Sequence, residues 1–484
     1  MARTGSRHRQ APLRIPVPRM SKIAFATLGC KLNYAETSTY RRGFEAAGWE
    51  VVPWTQPADV YLVNTCAVTA TAEKKSRNLI RRAHSVNPDA RIVVTGCYAQ
   101  LRRPEIESIP GVWRVFGADE KTSILGLAME DGFFEGVTGR PLMSGGLSTP
   151  GQVQGEGPVG YEFSQGEDEV DNGRGRSEAE SPGHQRVSLS QENVFGAYST
   201  GERTRSFLKV QDGCDNFCAY CTVPFARGRS RSLPLCEVIR NAREIADKGI
   251  REVVLTGVNT GDYGRGGQDS FLDLLKALDA VPGIDRYRIS SIEPNLITEE
   301  IVDWIASGTK FQPHFHIPLQ SGSDTLLKKV GRRYDTALFA SRIEYIRKAM
   351  EGPGKPRVFF GIDVIVGLPG ETEDLFQETV AFLRDVVKPS FIHVFPYSRR
   401  PGTRAAEWPD QVSEDVKKQR VDVLESLSAR LHEEFVAAHK GQRGTVLWES
   451  TKKDGTMGGY TANYIRVERP WDAARVNKLE EVEI

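Results

Sequence analysis

Short apolar runs alternate with longer amphipathic stretches along two separate parts of this chain. In the first, 21–127, buried strands are expected at 23–28, 60–64 and 91–96, with helices at about 35–47 and 71–84 between them. Such alternation builds a parallel sheet with right-handed crossovers. The pattern resumes at 204. Strands are expected at 206–211, 252–256, 287–290, 314–318, 359–366 and 391–395, with helices near 234–248, 271–280, 335–350 and 372–387. Pro234 suits a first helical turn. Six βα units in a row predict a partial (β/α)6 barrel, whose chemistry belongs at the C-terminal ends of its strands. A polar helix over 413–440 closes this part. Residues 442–484 read as a small β-barrel, with strands at 444–449, 459–462 and 464–467 and Gly-rich turns, a module able to bind RNA.

Two stretches break the pattern. Residues 136–201 include a run from 151 to 180 rich in Gly, Ser, Gln and acids, such as Glu167-Asp168-Glu169-Val170-Asp171, which buries too little to offset its chain entropy. A flexible acidic insert is expected there. The first 20 residues carry five arginines and no acid, and lack the apolar core of a secretory signal. They read as a disordered basic extension, with a transit peptide or a start at Met20 as alternatives. The fold class is therefore α/β. Its parts are the extension 1–20, a parallel-sheet domain of Rossmann or flavodoxin type at 21–135, the insert 136–203, the barrel 204–438 and the β-barrel tail 439–484.

Composition narrows the picture without naming a function. At 484 residues and 39% hydrophobic the chain can bury several cores. A formal net charge of +1 means that any nucleic-acid partner must be met by a local patch. No run of 18 apolar residues points to a membrane span. The seven cysteines are odd in number and widely spaced, which argues against a disulfide framework and for free thiols in a reducing, cytosolic setting.

Six of those cysteines fall into two triads. Cys214, Cys218 and Cys221 follow an apolar strand at spacing C-x3-C-x2-C, with Tyr220 before the last. Three soft thiolates on one loop suit an iron–sulfur cluster, whereas a structural zinc needs a fourth ligand that no nearby His or Cys supplies. A redox-active or zinc-bound loop is the plainer alternative. Cys30, Cys66 and Cys97 each end one of the first three strands. In a parallel sheet those ends share one edge, so the three thiols are expected to gather there; three unrelated core thiols are the alternative. The seventh, Cys236, lies among Leu233, Leu235 and Val238 and reads as a buried core thiol. His314 and His316 alternate on one strand and lack partners at metal spacing in the sequence.

The triple-Cys loop resembles the signature of radical S-adenosylmethionine enzymes. The whole resembles their methylthiotransferase family, from Lys22 to the C-terminus apart from the insert. The motifs are Leu28-Gly29-Cys30-Lys31-Leu32-Asn33, Asn64-Thr65-Cys66, Thr95-Gly96-Cys97-Tyr98, Gly213-Cys214 through Gly228, His316-Ile317-Pro318-Leu319-Gln320-Ser321-Gly322-Ser323 and Gly459-Tyr460-Thr461-Ala462-Asn463-Tyr464-Ile465-Arg466-Val467. The resemblance implies two 4Fe–4S clusters, each with an open iron. The radical cluster on Cys214, Cys218 and Cys221 would bind and cleave S-adenosyl-L-methionine. The auxiliary cluster on Cys30, Cys66 and Cys97 would carry the group transferred. Gly-Cys-Lys-Leu-Asn and the Gly-Tyr-Thr-x-Asn-Tyr tail resemble the branch acting on N6-threonylcarbamoyladenosine beside the tRNA anticodon. The branches acting on isopentenyladenosine or on a ribosomal-protein aspartate are the alternatives, as is a non-catalytic iron–sulfur RNA-binding redox regulator. Implied partners are the tRNA anticodon stem-loop, an electron donor such as flavodoxin or ferredoxin, and a sulfur donor.

Pocket residues follow more loosely. The superfamily's usual Gly-Gly-Glu is replaced by Thr256-Gly257-Val258-Asn259. Cofactor-binding candidates are Tyr220, Gly257, Asn259, Gln320 and Asp363, with Ser321 beside them. RNA-binding candidates are Arg227, Arg229 and Arg231 after the cluster loop, and Lys452, Lys453, Tyr460, Tyr464, Arg466 and Arg469 in the tail, where basic side chains interleave with rings.

Overall fold

The structure, a computed structural model, describes residues 21–128, 194–201 and 203–484, without the side chains of 451–453. The expected extension 1–20 and most of the insert lie outside the described residues. Five parallel strands form the first sheet: β1 (Lys22–Thr27), β2 (Glu50–Val51), β3 (Val60–Thr65), β4 (Arg91–Gly96) and β5 (Val112–Val115), in the order β2-β1-β3-β4-β5. This is the doubly wound order of flavodoxin-like sheets, and its switch point lies between β1 and β3. Helices Lys31–Ala46 and Ala70–Val86 cover the sheet. The first starts four residues before its expected position. Cys30 occupies its N-cap without a capping hydrogen bond, so no Ser, Thr, Asp or Asn marks the start in the sequence.

The second unit begins with β6 (Arg205–Lys209) and a short antiparallel pair, β7 (Gln211–Asp212) with β8 (Arg231–Ser232). It continues through β9 (Glu252–Thr256), β10 (Arg286–Ile289), β11 (His314–Gln320), β12 (Phe359–Val366) and β13 (Phe391–Pro396). Parallel sheets β6-β9-β10 and β11-β12-β13 are joined by the bridges Tyr287–Phe311 and Ser291–His316, giving the expected six-stranded half-barrel. Alternate strand residues point to opposite faces. Leu208, Leu255, Ile289, Ile317, Ile362 and Ile392 pack outward against Val238, Leu274, Ile301, Ile343 and Phe376 of the surrounding helices. The concave face carries Arg205, Lys209, Glu252, Arg288, His314, His316, Asp363 and His393 instead. Four antiparallel strands close the chain: β14 (Arg443–Lys453), β15 (Thr456–Tyr460), β16 (Arg466–Pro470) and β17 (Leu479–Glu483), in the order β16-β15-β14-β17. Tyr464 sits in a turn at φ +65°, so the strand expected at 464–467 starts at Arg466.

The N-terminal unit packs onto the concave face of the half-barrel. Tyr34 meets Phe207 edge-on at 5.6 Å, and Phe207 and Val254 share a core with Ile23, Tyr34 and Leu62. Part of the predicted insert belongs to this seam. Phe195 and Ala197 are buried, Tyr198 pairs antiparallel with Leu208, and Arg42 donates to the Tyr198 carbonyl at 2.8 Å. The insert therefore ends before 194, because these apolar residues cover the flank of β6.

At the centre of the seam lies a buried ion network. Glu36, fully buried, accepts from Lys121 (2.8 Å), Lys209 (2.9 Å) and Arg227 (3.2 Å). Asp212 accepts from Lys209 (2.6 Å) and Arg227 (2.9 Å). Burial alone would raise both carboxyls. The cations outweigh it and hold Glu36 and Asp212 well below the usual carboxylate range. Glu36 and Lys121 come from the first unit, the others from the second, so the network ties the two together.

A second buried group seats the C-terminal sheet. Glu252 accepts from Arg288 at 2.8 Å and lies 3.8 Å from Arg205 and from Arg286. Arg288 also donates to the carbonyls of Thr461 and Ala462, each at 2.8 Å, while Arg205 binds Glu449 (2.8 Å) and the Tyr464 hydroxyl (3.0 Å).

Removing one member of a buried ion group leaves the rest uncompensated, at a cost of about 3–5 kcal/mol. Glu36→Ala should lower the unfolding free energy by about that amount in urea titrations; a loss under about 0.5 kcal/mol, typical of a surface change, contradicts the assignment. Glu252→Ala should cost a similar amount, on the order of 3 kcal/mol. It should also hasten limited proteolysis after 440, where unchanged cleavage contradicts the docking role.

Candidate functional site

Each N-terminal cysteine sits where a strand of the first sheet ends. Cys66 follows β3 directly, Cys97 follows β4 and opens a short helix, and Cys30 lies three residues beyond β1. Gly29 brings the first two loops together. At φ +107° its missing side chain makes room, since a Cβ would lie 3.0 Å from the Cys66 Cβ and 3.1 Å from its sulfur. Asn33 fixes the arrangement by donating to the Leu28 and Thr65 carbonyls at 2.7 and 3.0 Å. Its carbonyl oxygen accepts from Arg227. Cys66 and Cys97 are buried and Cys30 is exposed at the opening.

The second triad lies on the loop after β7. Gly213, at φ +74°, passes so close to the chain that a Cβ would meet the Arg229 carbonyl at 1.9 Å. The backbone N–H of Asn216 points at the Cys214 sulfur (3.5 Å) and Arg332 at the Cys218 sulfur (3.3 Å). Arg332 is itself held by Glu293 at 2.6 Å, and Glu293 accepts from the Asn216 amide at 2.7 Å.

The thiols of each triad disfavour one another's ionisation. Burial, then Cys97 and Cys30, push the Cys66 thiol up to about 12. Burial also raises Cys97, against the pull of Arg227. Burial and the neighbouring thiols push Cys214 and Cys221 up to about 12. A polyvalent metal centre that binds thiolates would reverse this. Among the described residues, His316, Asp363 and His393 bring three ligand atoms within 4.8 Å of one another; neither thiol triad does so. A single tetrahedral zinc at about 2.3 Å from each sulfur would draw thiols to about 3.8 Å of one another. The thiols of neither triad stand at that spacing.

Asp363 accepts from His316 Nε2 at 2.6 Å, and His393 stacks on His316 at 4.9 Å. Burial, then His316, push His393 down to about 4, so it is neutral at pH 7. In the sequence His316 lacks ligating neighbours at metal spacing; they lie on the adjoining strands β12 and β13, which sequence spacing does not reveal. Gln320 ends β11 at φ +69°, where the register with β12 shifts. Ser321 is buried near Thr379.

Other candidates stand apart from the open face. A Cβ on Gly257 would meet the Gln211 side chain at 2.8 Å, so its smallness serves the wrap of Gln211 around the strand end. Asn259 is buried, bonded to Asp262 and the Glu293 backbone. Tyr220 packs with Ala219, Val330 and Leu368. Arg227 cannot meet RNA phosphates: it is 3% exposed inside the ion network, and Arg231 is likewise buried, whereas the Arg229 side chain is 67% exposed. Cys236 is exposed, contrary to expectation, because the helix Leu235–Asp247 turns its Val238–Ala242–Ile245 stripe inward. Tyr460 and Tyr464 stack at 4.6 Å on the inner side of the C-terminal sheet, with Arg205 over both rings. Arg466 is exposed and paired with Glu468 at 2.9 Å, and Arg469 bonds Glu480 at 3.3 Å. The side chains of Lys452 and Lys453 lie outside the described residues. Glu36, Lys121, Lys209, Asp212, Arg332, Glu293 and His393 were not anticipated. Lys209, a charge between Leu208 and Val210 in a buried strand, was the available signal.

Comparison with known proteins agrees with this geometry. The Radical SAM superfamily model matches residues 208–383, and that of the Uncharacterized protein family UPF0004 matches 22–117. The threonylcarbamoyladenosine tRNA methylthiotransferase MtaB of Bacillus subtilis is 39% identical over 471 residues, covering 96% of this chain and 94% of that protein. A tRNA-2-methylthio-N(6)-dimethylallyladenosine synthase of Nitratidesulfovibrio vulgaris is 33% identical over 440 residues, covering 89% and 87%. Among solved structures, the radical S-adenosylmethionine methyltransferase TsrM of Kitasatospora setae shares the fold at TM-score 0.52 and 16% identity, over 80% of this chain and 74% of that one. Two thiol triads on two such units, and relatedness along nearly the whole length, establish that the chain belongs to the radical S-adenosylmethionine methylthiotransferases, in the threonylcarbamoyladenosine tRNA branch.

Proposed function

We propose that this protein methylthiolates N6-threonylcarbamoyladenosine at tRNA position 37, 3′ of the anticodon, giving the 2-methylthio derivative. The observation that carries the reading is the pairing of two free thiol triads across one domain seam, joined through the ion network. Cys214, Cys218 and Cys221 would hold the radical cluster, and Cys30, Cys66 and Cys97 the auxiliary one. When bound, these clusters supply the electron that cleaves S-adenosylmethionine and the sulfur that is transferred.

The chain's own residues orient and insulate. Arg332 and the Asn216 backbone donate to the radical-triad sulfurs. Arg227 places an excess cation beside the Cys97 and Cys30 thiols, where negative charge accumulates on deprotonation. The first unit and the C-terminal sheet pack around the concave face and partly shield it from bulk water. Gln320 and Asp363 are the candidates best placed to meet cofactor or base, and Tyr460 and Tyr464 line the base's approach. Arg229 and Arg466 offer exposed charge to the anticodon stem-loop phosphates. Among the described residues no helix is long and apolar enough to cross a membrane. Free thiols suit a reducing cytoplasm, where a flavodoxin or ferredoxin would donate electrons and a separate donor would restore sulfur.

Mass spectrometry of tRNA nucleosides from a deletion strain should show the 2-methylthio derivative replaced by threonylcarbamoyladenosine; an unchanged profile overturns the reading. In anaerobically reconstituted protein, Cys214→Ala should abolish cleavage of S-adenosylmethionine, while Cys66→Ala should keep it and stop methylthiolation. Equal loss of cleavage in both folded variants contradicts the division of labour.

A further inference from the structure

Lys31 follows Cys30 and opens the helix Lys31–Ala46. Its side chain is half-buried and, among the described residues, has neither hydrogen bond nor ion pair. It does not face solvent away from the site. Its helix packs against β6 of the half-barrel, and Asp363, His314, His393 and Arg205, on four of the barrel's strands, and Tyr464, in the turn before β16, lie within electrostatic reach of the ammonium. A residue of the N-terminal unit therefore projects its ammonium over the concave face, next to a cysteine of the auxiliary triad.

The other cations around that space are committed. Arg288 is bonded to Glu252 and to two carbonyls, Arg205 to Glu449 and Tyr464, and Lys209 and Lys121 to Glu36. The nearby carboxylate, Asp363, is held by His316 at 2.6 Å. His314 Nδ1, on the same face, also lacks a partner. A cation partly withdrawn from water without a counter-ion is costly, and an incoming anion offsets that cost.

The threonylcarbamoyl group carries a carboxylate, whereas a dimethylallyl group is an uncharged hydrocarbon. We propose that Lys31 binds the threonyl carboxylate of the substrate base, and so sets the preference for an anionic N6 substituent while seating the base beside the auxiliary triad. This rests on the proposed function above. A charged hydrogen bond of this kind is worth about 10- to 100-fold in recognition.

The test uses anticodon stem-loops with threonylcarbamoyladenosine at position 37, or with its uncharged threoninamide analogue. Methylthiolation kinetics are measured with the holoenzyme, and binding by anisotropy without S-adenosylmethionine. The wild type should prefer the acid by about 10- to 100-fold in kcat/KM, mostly through KM, and show the same trend in Kd. Lys31→Met and Lys31→Gln should treat acid and amide nearly alike, and Lys31→Arg should restore part of the preference. The ratio is taken within each variant, so a general loss of activity does not alter it, and binding gives the ratio for a variant too slow to assay. Iron content per chain is measured beside each. A Lys31→Met enzyme that discriminates as well as the wild type overturns the assignment while leaving the proposed function intact. A wild type that modifies isopentenyladenosine and ignores threonylcarbamoyladenosine removes both.

Discussion

The buried ion network around Glu36 is the constraint on which the rest of the molecule depends. Three cations and two carboxylates have left water together, an arrangement that is tolerable only if every partner is in place. Its members come from a helix and a loop of the first sheet domain, from β6 and β7, and from the segment that follows the radical triad. Displacing either unit would strand charge in a dry interior. The network thus serves as a registration device. Asp212 stands two residues before Cys214, and Arg227 bonds Asn33, which in turn bonds the loop ends beside Cys30 and Cys66. Positioning one triad positions the other.

The half-barrel supports this with its strand alternation. Aliphatic residues face the helices and form the large core, which frees the concave face for polar groups that an ordinary core would reject. Those groups are satisfied in pairs: Arg288 with Glu252, His316 with Asp363, Arg205 with Glu449. The N-terminal unit and the C-terminal sheet flank them, leaving His316 and Asp363 partly buried. Partial withdrawal from water strengthens the interactions of each remaining unpaired group, which is the ground for the role proposed for Lys31.

Much of this was legible in the sequence. All six barrel strands and β1, β3 and β4 of the N-terminal sheet declare themselves through apolar runs, whereas the two-residue β2 and the edge strand β5 do not. The triad at 30, 66 and 97 follows once parallel topology is granted. Relations across long separations were not legible. Glu36 and Lys209 lie 173 positions apart, and nothing local to either names the other. The run Arg227, Arg229, Arg231 reads as uniformly basic, yet Arg227 ends a short helix and Arg231 lies in β8, with Gly228 at φ +77° turning the chain between them, so the outer two residues are buried and the middle one is exposed. Cys236 was misjudged from its apolar neighbours because helical phase, not proximity, decides which side chain turns inward. β17, rich in glutamate, gave no strand signal because its ladder with β14 satisfies the backbone whatever its side chains.

In the proposed enzyme, two independent thiol triads, held in register by one buried network, would each take a four-iron cluster. Iron and sulfide analysis of the anaerobically reconstituted chain tests it most directly, with the Cys30→Ala/Cys66→Ala/Cys97→Ala variant alongside. About eight irons are expected per wild-type chain and about four in the variant. About four irons in the wild type, or an undiminished count in the variant, would contradict it.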